Sequence, residues 1–186
     1  MMTIKALTTP LTYDQVKDLR AGNQVTITGV IYSARDAAHK NMVEALVENK
    51  PLPIDVKDQV IYYAGPTPAK PGKVIGSCGP TTSGRMDAYS PTMMDQGLRG
   101  MIGKGSRSKE VIESMKKNGA VYFAAIGGAA ALIADSIKKV DIVAFPELGP
   151  EAIRRMEVEN YPCIVAVDSE GNDLYEMGVK QYRIVD

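Results

Sequence analysis

The sequence is short of cysteine: only Cys78 and Cys163 occur, too few for a disulfide framework. It has no apolar run of the roughly 18 residues that a membrane-spanning helix needs. The longest candidate, 120–134, is rich in Gly and Ala and stops at Asp135. The N-terminal stretch MMTIKALTTPLTYDQVKDLR lacks the continuous apolar segment of a secretory signal. Lysine plus arginine and aspartate plus glutamate balance at 22 each. No net positive field therefore gathers nucleic acid or an anionic membrane, and no block of like charge marks an interaction tail. There is no internal repeat of useful length. These absences point to a cytoplasmic protein with neither nucleic acid nor membrane among its partners.

The 186 residues suffice for one domain with a sizeable core, here 1–186 without an internal linker. Strand and helix patterns alternate. TYDQVKDLR (12–20) reads as a short helix ended by Gly22, and VTITGVIYSA (25–34) as a strand. DAAHKNMVEALVEN (36–49) reads as a helix with Asp36 at its N-cap. Strands are expected at 60–64, 74–78, 120–126 and 141–147, and helices at 108–119, 127–139 and 150–160. Ser108 and Gly119 are the cap and stop of the helix over 108–119. CIVAVDSEGNDLYEM (163–177) reads as a hairpin. A local echo, AGPTP at 64–68 and CGPTT at 78–82, brackets PAKPG as two paired strand-to-loop turns. The alternation argues for α/β; the β-rich first half and the hairpin favour a layered domain with a mixed sheet over a doubly wound one.

Three clusters could carry chemistry. In CGPTTSGRMD (78–87) the glycines permit close approach of a ligand. Thr81, Thr82 and Ser83 offer hydroxyls, and Arg85 offers a planar fork that matches a carboxylate or phosphate. The alternative is a capped turn with Arg85 on the surface. In SARDAAHK (33–40), Arg35 precedes a helix start, where a cation is unfavourable unless an anion is also present. His39, the only histidine, follows one turn later; a lone histidine is more often structural. In GMIGKGSRS (100–108), Lys104 sits between two glycines that would let it reach into a cleft. Three cations with hydroxyls beside one of them suit a small dicarboxylate. No His/Cys/Asp/Glu spacing suggests a metal site, and two cysteines cannot alone ligate an iron–sulfur cluster. Cys163 reads as core and Cys78 as a small buried residue at a strand end. A GxSxG elbow and a phosphate-binding GxxxxGK[ST] in the 78–87 loop are also missing.

In this order the clusters resemble the β subunit of class I fumarate hydratase and of its relative L(+)-tartrate dehydratase. The resemblance rests on ARDAAHK (34–40), YYAGP (62–66), GPTTSGRMD (79–87), GKGS (103–106), AIGGAAAL (125–132) and the tail from ELGPEAI to GNDLYEM. It implies a swivelling β/β/α domain and a separate α subunit, because the family's cluster-binding region is not in this sequence. It implies a [4Fe–4S] cluster ligated by that α subunit and not by this chain. The activity implied is hydration of fumarate to (S)-malate, or dehydration of tartrate. Arg35, Arg85 and Lys104 would grip carboxylates, with Thr82 and His39 beside them, and Thr81 would take part in proton transfer. A homodimer of this chain is compatible with the resemblance. A reading of another class is a small-anion-binding or assembly module without chemistry.

Overall fold

The computed structural model describes residues 4–125 and 130–184. Seven strands form one mixed sheet: β1 (Lys5–Thr8), β2 (Gln24–Ser33), β3 (Val60–Tyr62), β4 (Gly100–Gly103), β5 (Val121–Ala124), β6 (Ile137–Ala144) and β7 (Ile153–Val167). β1 through β5 run parallel in sequence order. β7 is antiparallel to β2, β5 and β6. Because β7 joins β5 back to β2, the ring β2–β3–β4–β5–β7 closes on itself. β1 and β3 share the other edge of β2, at Val25–Thr28 and Tyr32–Ser33 respectively. Closure leaves the five strands of the ring without an open edge, so that the free edges are those of the flanking β1 and β6.

Side chains alternate across these strands. Val25, Ile27, Ile31, Val60, Tyr62, Ile102, Val121 and Phe123 face one core. Ile61, Tyr63, Met101 and Tyr122 face a second. The second core lies beneath α2 (Asp36–Val47), α3 (Ser90–Asp95) and α4 (Lys109–Asn118), which contribute Met42, Met93, Met94 and Met115. Both faces of the central strands are covered, which is why they read as continuous apolar runs. The layered α/β architecture is as the alternation implies. The helix at 108–119 has its expected ends: Ser108 Oγ accepts the Val111 N–H, and Gly119 closes with φ of 63°. No helix of the described residues is long and apolar enough to cross a membrane.

Several local expectations fail for tertiary reasons. The segment 150–160 is not an α-helix: Pro150 and Glu151 end a short 3-10 helix (Pro146–Glu151), and from Ile153 on the chain is the first half of β7, lying between β2 and β6. Its Ile153 and Met156 fit a helical period, but two open strand edges claim the backbone. The 163–177 hairpin lacks a second strand. Asp168 Oδ1 accepts the Glu170 and Asn172 amides, and the chain then enters α6 (Leu174–Tyr182). The helix expected over 127–139 is α5 (Ala130–Ser136), and its last residues belong to β6, which also takes most of the strand expected at 141–147. The start of that expected helix, 127–129, lies outside the described residues. The 12–20 helix shrinks to α1 (Tyr13–Val16). Residues 74–78 form no strand. They are the returning leg of an arm that leaves β3 and comes back, tied by an antiparallel bridge between Ala64 and Pro80 and by Thr67 N–H to Ser77 O at 3.0 Å. The two GP turns of the sequence echo are thus paired. α3 and β4 were hidden inside a glycine-punctuated stretch.

Gly103 ends β4 where the chain has no room for a side chain. A Cβ there would overlap Ser83 Oγ and sit 3.0 Å from the Tyr63 ring. Gly103→Ala is expected to destabilise the fold by about 1–3 kcal/mol, the usual scale of overpacking, as read from urea unfolding; a change below about 0.5 kcal/mol would show that Ser83 is not held there.

Candidate functional site

The parallel register brings three strand ends to one edge. Ser33 of β2 lies opposite Tyr62 of β3, and Tyr62 lies opposite Ile102 of β4. Arg35 therefore emerges just past β2 and Lys104 just past β4. The arm after β3 returns beside them, rooted by the Tyr62 hydroxyl, which donates to Cys78 O at 2.7 Å. Thr81 N–H then donates to Tyr63 O at 2.7 Å, Lys104 N–H to Thr81 O at 3.3 Å, and Ser83 N–H to Lys104 O at 2.9 Å. Thr81 and Thr82 thus lie along Lys104 as a bridge residue pair does, with Thr82 and Lys104 in parallel register. In parallel α/β folds, open or closed, ligands bind at the carboxyl ends of the strands, and this edge is that end of β2, β3 and β4. The hydroxyl of Thr81 has no hydrogen-bond partner and Lys104 no ion pair among the described residues.

Arg35 is the N-cap residue of α2, and Asp36 is its first helical residue rather than the cap. The anion that the helix N-terminus requires comes from elsewhere: Glu151 Oε2 accepts the Ala37 N–H at 2.9 Å. Glu151 and Asp36 lie 3.4 and 3.5 Å from Arg35 Nη2. Arg35 lies flat over Gly65, where a Cβ would come within 2.9 Å of Nη1, so YYAGP serves as the floor for this arginine. Arg85, in the short 3-10 helix Ser83–Met86, reaches across to donate its Nε–H to Asp36 Oδ1 at 2.7 Å. That contact leaves both Nη groups without a partner among the described residues. Arg85 is half-exposed, whereas Arg35 is largely covered. Arg35, Arg85, Asp36 and Glu151 form one ion-pair network here, and Lys104 follows the next strand but one of the same edge.

His39 is fully buried one turn below Arg35. Its Nδ1 lies 2.8 Å from the Arg35 carbonyl oxygen. A carbonyl can only accept, so Nδ1 carries the proton and Nε2 is a bare acceptor, buried without a partner. Burial first, and the nearby Arg107 cation second, hold the imidazole down to about 4, against the Arg35 carbonyl, which pulls the other way. Arg35 Nε and Asp36 Oδ2 are also buried without a hydrogen bond, although Oδ2 keeps its ion pair with Arg35 Nη2. In folded proteins such orphans are few; here they gather at one helix terminus.

A family profile described as Fumarase C-terminus matches residues 2–178. The chain belongs to that family. It is 44% identical over 163 residues to Fumarate hydratase 2 of Leishmania major, covering 87% of this chain and 29% of that protein. Against the anaerobic class I fumarate hydratase of Escherichia coli the identity is 41% over 169 residues, with 90% and 31% covered. Against "Putative L(+)-tartrate dehydratase subunit beta" of Methanocaldococcus jannaschii it is 45% over 172 residues, with 89% and 88% covered. The chain therefore spans under a third of the fumarate hydratases it matches and most of the subunit it matches.

Within this fumarase C-terminal fold, Arg35, Thr81, Thr82, Arg85 and Lys104 share one edge, and His39 lies beneath it rather than on it. Both cysteines are buried; burial pushes the Cys78 thiol up to about 12. Among the described residues no group of three or more His, Cys, Asp or Glu could hold a metal ion. The cavity lined by Pro66, Val74, Ile142 and Arg154 includes none of Arg35, Thr81, Arg85 and Lys104 in its lining. Sequence reasoning missed Glu151, which is remote in the chain, and Asp87 and Arg107, which sit inside motifs already singled out. The Asp in RMD and the Arg in GKGSR were a findable pair of opposite charges. The depressed His39 has a stability consequence. Its proton binds the unfolded chain more tightly than the folded one, so stability falls as pH drops from about 6.5 to about 4, by on the order of 3 kcal/mol in all. His39→Gln is expected to remove that part of the acid dependence in urea titrations across the window; parallel curves for both proteins would show that His39 is not held neutral.

Proposed function

We propose that this chain is the β subunit of a two-subunit, [4Fe–4S]-dependent hydro-lyase that reversibly hydrates fumarate to (S)-malate. The observation that carries this reading is the convergence of Arg35, Arg85 and Lys104 on the strand edge occupied by Thr81. Family membership supports the reaction class. The separate α subunit is supported by near end-to-end similarity to a protein named as a subunit beta, alongside fumarate hydratases that extend far beyond the matched region.

The residues present do not fit a cluster site of their own: the two thiols are buried and protonated. The cluster is accordingly assigned to the α subunit, where it would act as a Lewis acid toward a carboxylate and the hydroxyl that adds or leaves. This chain supplies the opposing wall. Asp36 grips Arg85 through Nε and so orients the free Nη edge, which can take one substrate carboxylate bidentately. Arg35 and Lys104 serve the rest of the dianion. Removal of a proton from the carbon next to a carboxylate builds an aci-carboxylate with two negative charges, and fixed cations stabilise it. Thr81 would move that proton. Its hydroxyl is a poor base in water, so the role requires neighbouring cations to lower its pKa or a partner carboxylate to relay the proton.

A second reading, L(+)-tartrate dehydratase, is favoured by the match over 88% of a protein named "Putative L(+)-tartrate dehydratase subunit beta". It uses the same dianion clamp and differs only in substrate, which assay on both diacids decides.

Two substitutions test the assignments in complex with a cluster-bearing α chain. Arg85→Lys keeps the charge but loses the fork, and kcat/KM is expected to fall about 10- to 150-fold, the scale of one charge-assisted contact. Activity within twofold of the parent removes Arg85 from the site. Thr81→Val, matched for cluster content, is expected to lower kcat by on the order of 10²–10⁴, with Thr81→Ser retaining much more. Equal kcat for valine and parent ends the proton-transfer role while leaving the clamp intact.

A further inference from the structure

We propose that Arg107 is a positioning residue, a buried cation that sets the relative placement of the Thr81–Arg85 loop and Lys104. The proposal rests on the clamp reading above and adds the part beneath it. The Arg107 side chain is wholly covered. Its Nε donates to Asp87 Oδ1 at 2.7 Å, its Nη2 to Ser90 Oγ at 2.7 Å, and its Nη1 points at Met101 Sδ at 3.5 Å. Its guanidinium lies 5.4 Å from the Tyr63 ring centroid and 5.0 Å from that of Tyr122.

Three of those partners, Tyr63, Tyr122 and Asp87, bond the loops of the edge directly. Tyr63 accepts the Thr81 N–H through its carbonyl, and its hydroxyl meets Ser90 Oγ at 3.1 Å. Tyr122 bonds Ser83 Oγ at 2.8 Å and donates to Gly105 O at 2.8 Å. Asp87 bonds Arg107 with one oxygen and the Ser108 N–H with the other, at 2.7 Å, joining the loop after β3 to the loop after β4. Tyr63 and Tyr122, which hold Thr81, Ser83 and Gly105, and Asp87, which holds Ser108, are therefore each one contact from Arg107.

Stability alone gives no reason for a charge here. Replacing a buried ion pair by well-packed apolar groups is often neutral or stabilising. What an apolar residue cannot do is hold a carboxylate, a hydroxyl and two aromatic faces in fixed directions at once, which the planar five-donor fork does. A clamp for a small dianion needs that fixity, since displacement by about 1 Å can lower rate on the order of 10²-fold.

Two readouts separate positioning from simple folding support. The first is amide hydrogen exchange on the full chain. In Arg107→Lys, protection at Ser83 and Lys104 is expected to drop about tenfold or more while the β2–β7 ladder stays protected. The second is a double-mutant cycle in the assembled enzyme. Arg107→Lys is expected to lower kcat/KM on the order of 10- to 100-fold in the parent, and several-fold less in a Lys104→Ala background, because the two act through one contact set. If the lysine variant does not fold, Arg107→Met, which removes the buried charge altogether, carries the same readouts. Unchanged exchange at Ser83 and Lys104, or full additivity with Lys104→Ala, overturns the proposal. A parent complex inactive on both diacids overturns the hydro-lyase reading only, and the exchange result still decides for or against Arg107.

Discussion

Everything at the site depends on the parallel alignment of β2, β3 and β4. A parallel strand must return to the same end before each new strand begins, so the residues that follow successive strands collect at one edge. Arg35 and Lys104 thus come to the same edge, following strands with only β3 between them, although 68 other residues separate them in sequence. β7 makes that alignment rigid. By pairing with β2 along nearly all of its length and with β5 at its far end, it closes the ring, so the strand ends cannot slide past one another without breaking ladders on both sides.

On that frame the charges are arranged in two layers. At the surface, Arg85 is held by Asp36, and Arg35 lies between Asp36 and Glu151. Each arginine is restrained by a carboxylate of the chain itself, while fork donors stay open on Arg85. Below, Arg107 is locked to Asp87 among Tyr63, Tyr122 and Ser90. His39 lies between the layers, kept neutral by burial with an unfilled acceptor. A neutral imidazole avoids adding a further buried cation to a region that already has one in Arg107.

The sequence was legible where local chemistry and position coincide. The strand at 25–34, the helix after Arg35 and the capped helix at 108–119 follow from periodicity and end signals, and GPTTSGRMD, RDAAHK and GKGS stood out because loops rarely concentrate such residues. What was illegible depends on partners far along the chain. The segment 150–160 looks helical because Pro150, Ile153 and Met156 satisfy helix rules locally, and only the vacant edges of β2 and β6 make it a strand. Glu151 reads as a surface acid until it is seen capping α2. Arg107 reads as one more loop cation until Tyr63 and Tyr122 close over it. His39 stood in the right motif, but its depth could not be read from helical spacing.

The central claim is that this edge grips a dianion. The direct measurement is competitive inhibition of the assembled enzyme by succinate and by butyrate, which match in length and differ by one carboxylate. The account predicts that succinate binds roughly 10- to 150-fold more tightly, the worth of one charge-assisted contact, and that the preference shrinks by at least about tenfold in Arg85→Met. A preference that is absent, or that persists undiminished without Arg85, would contradict it.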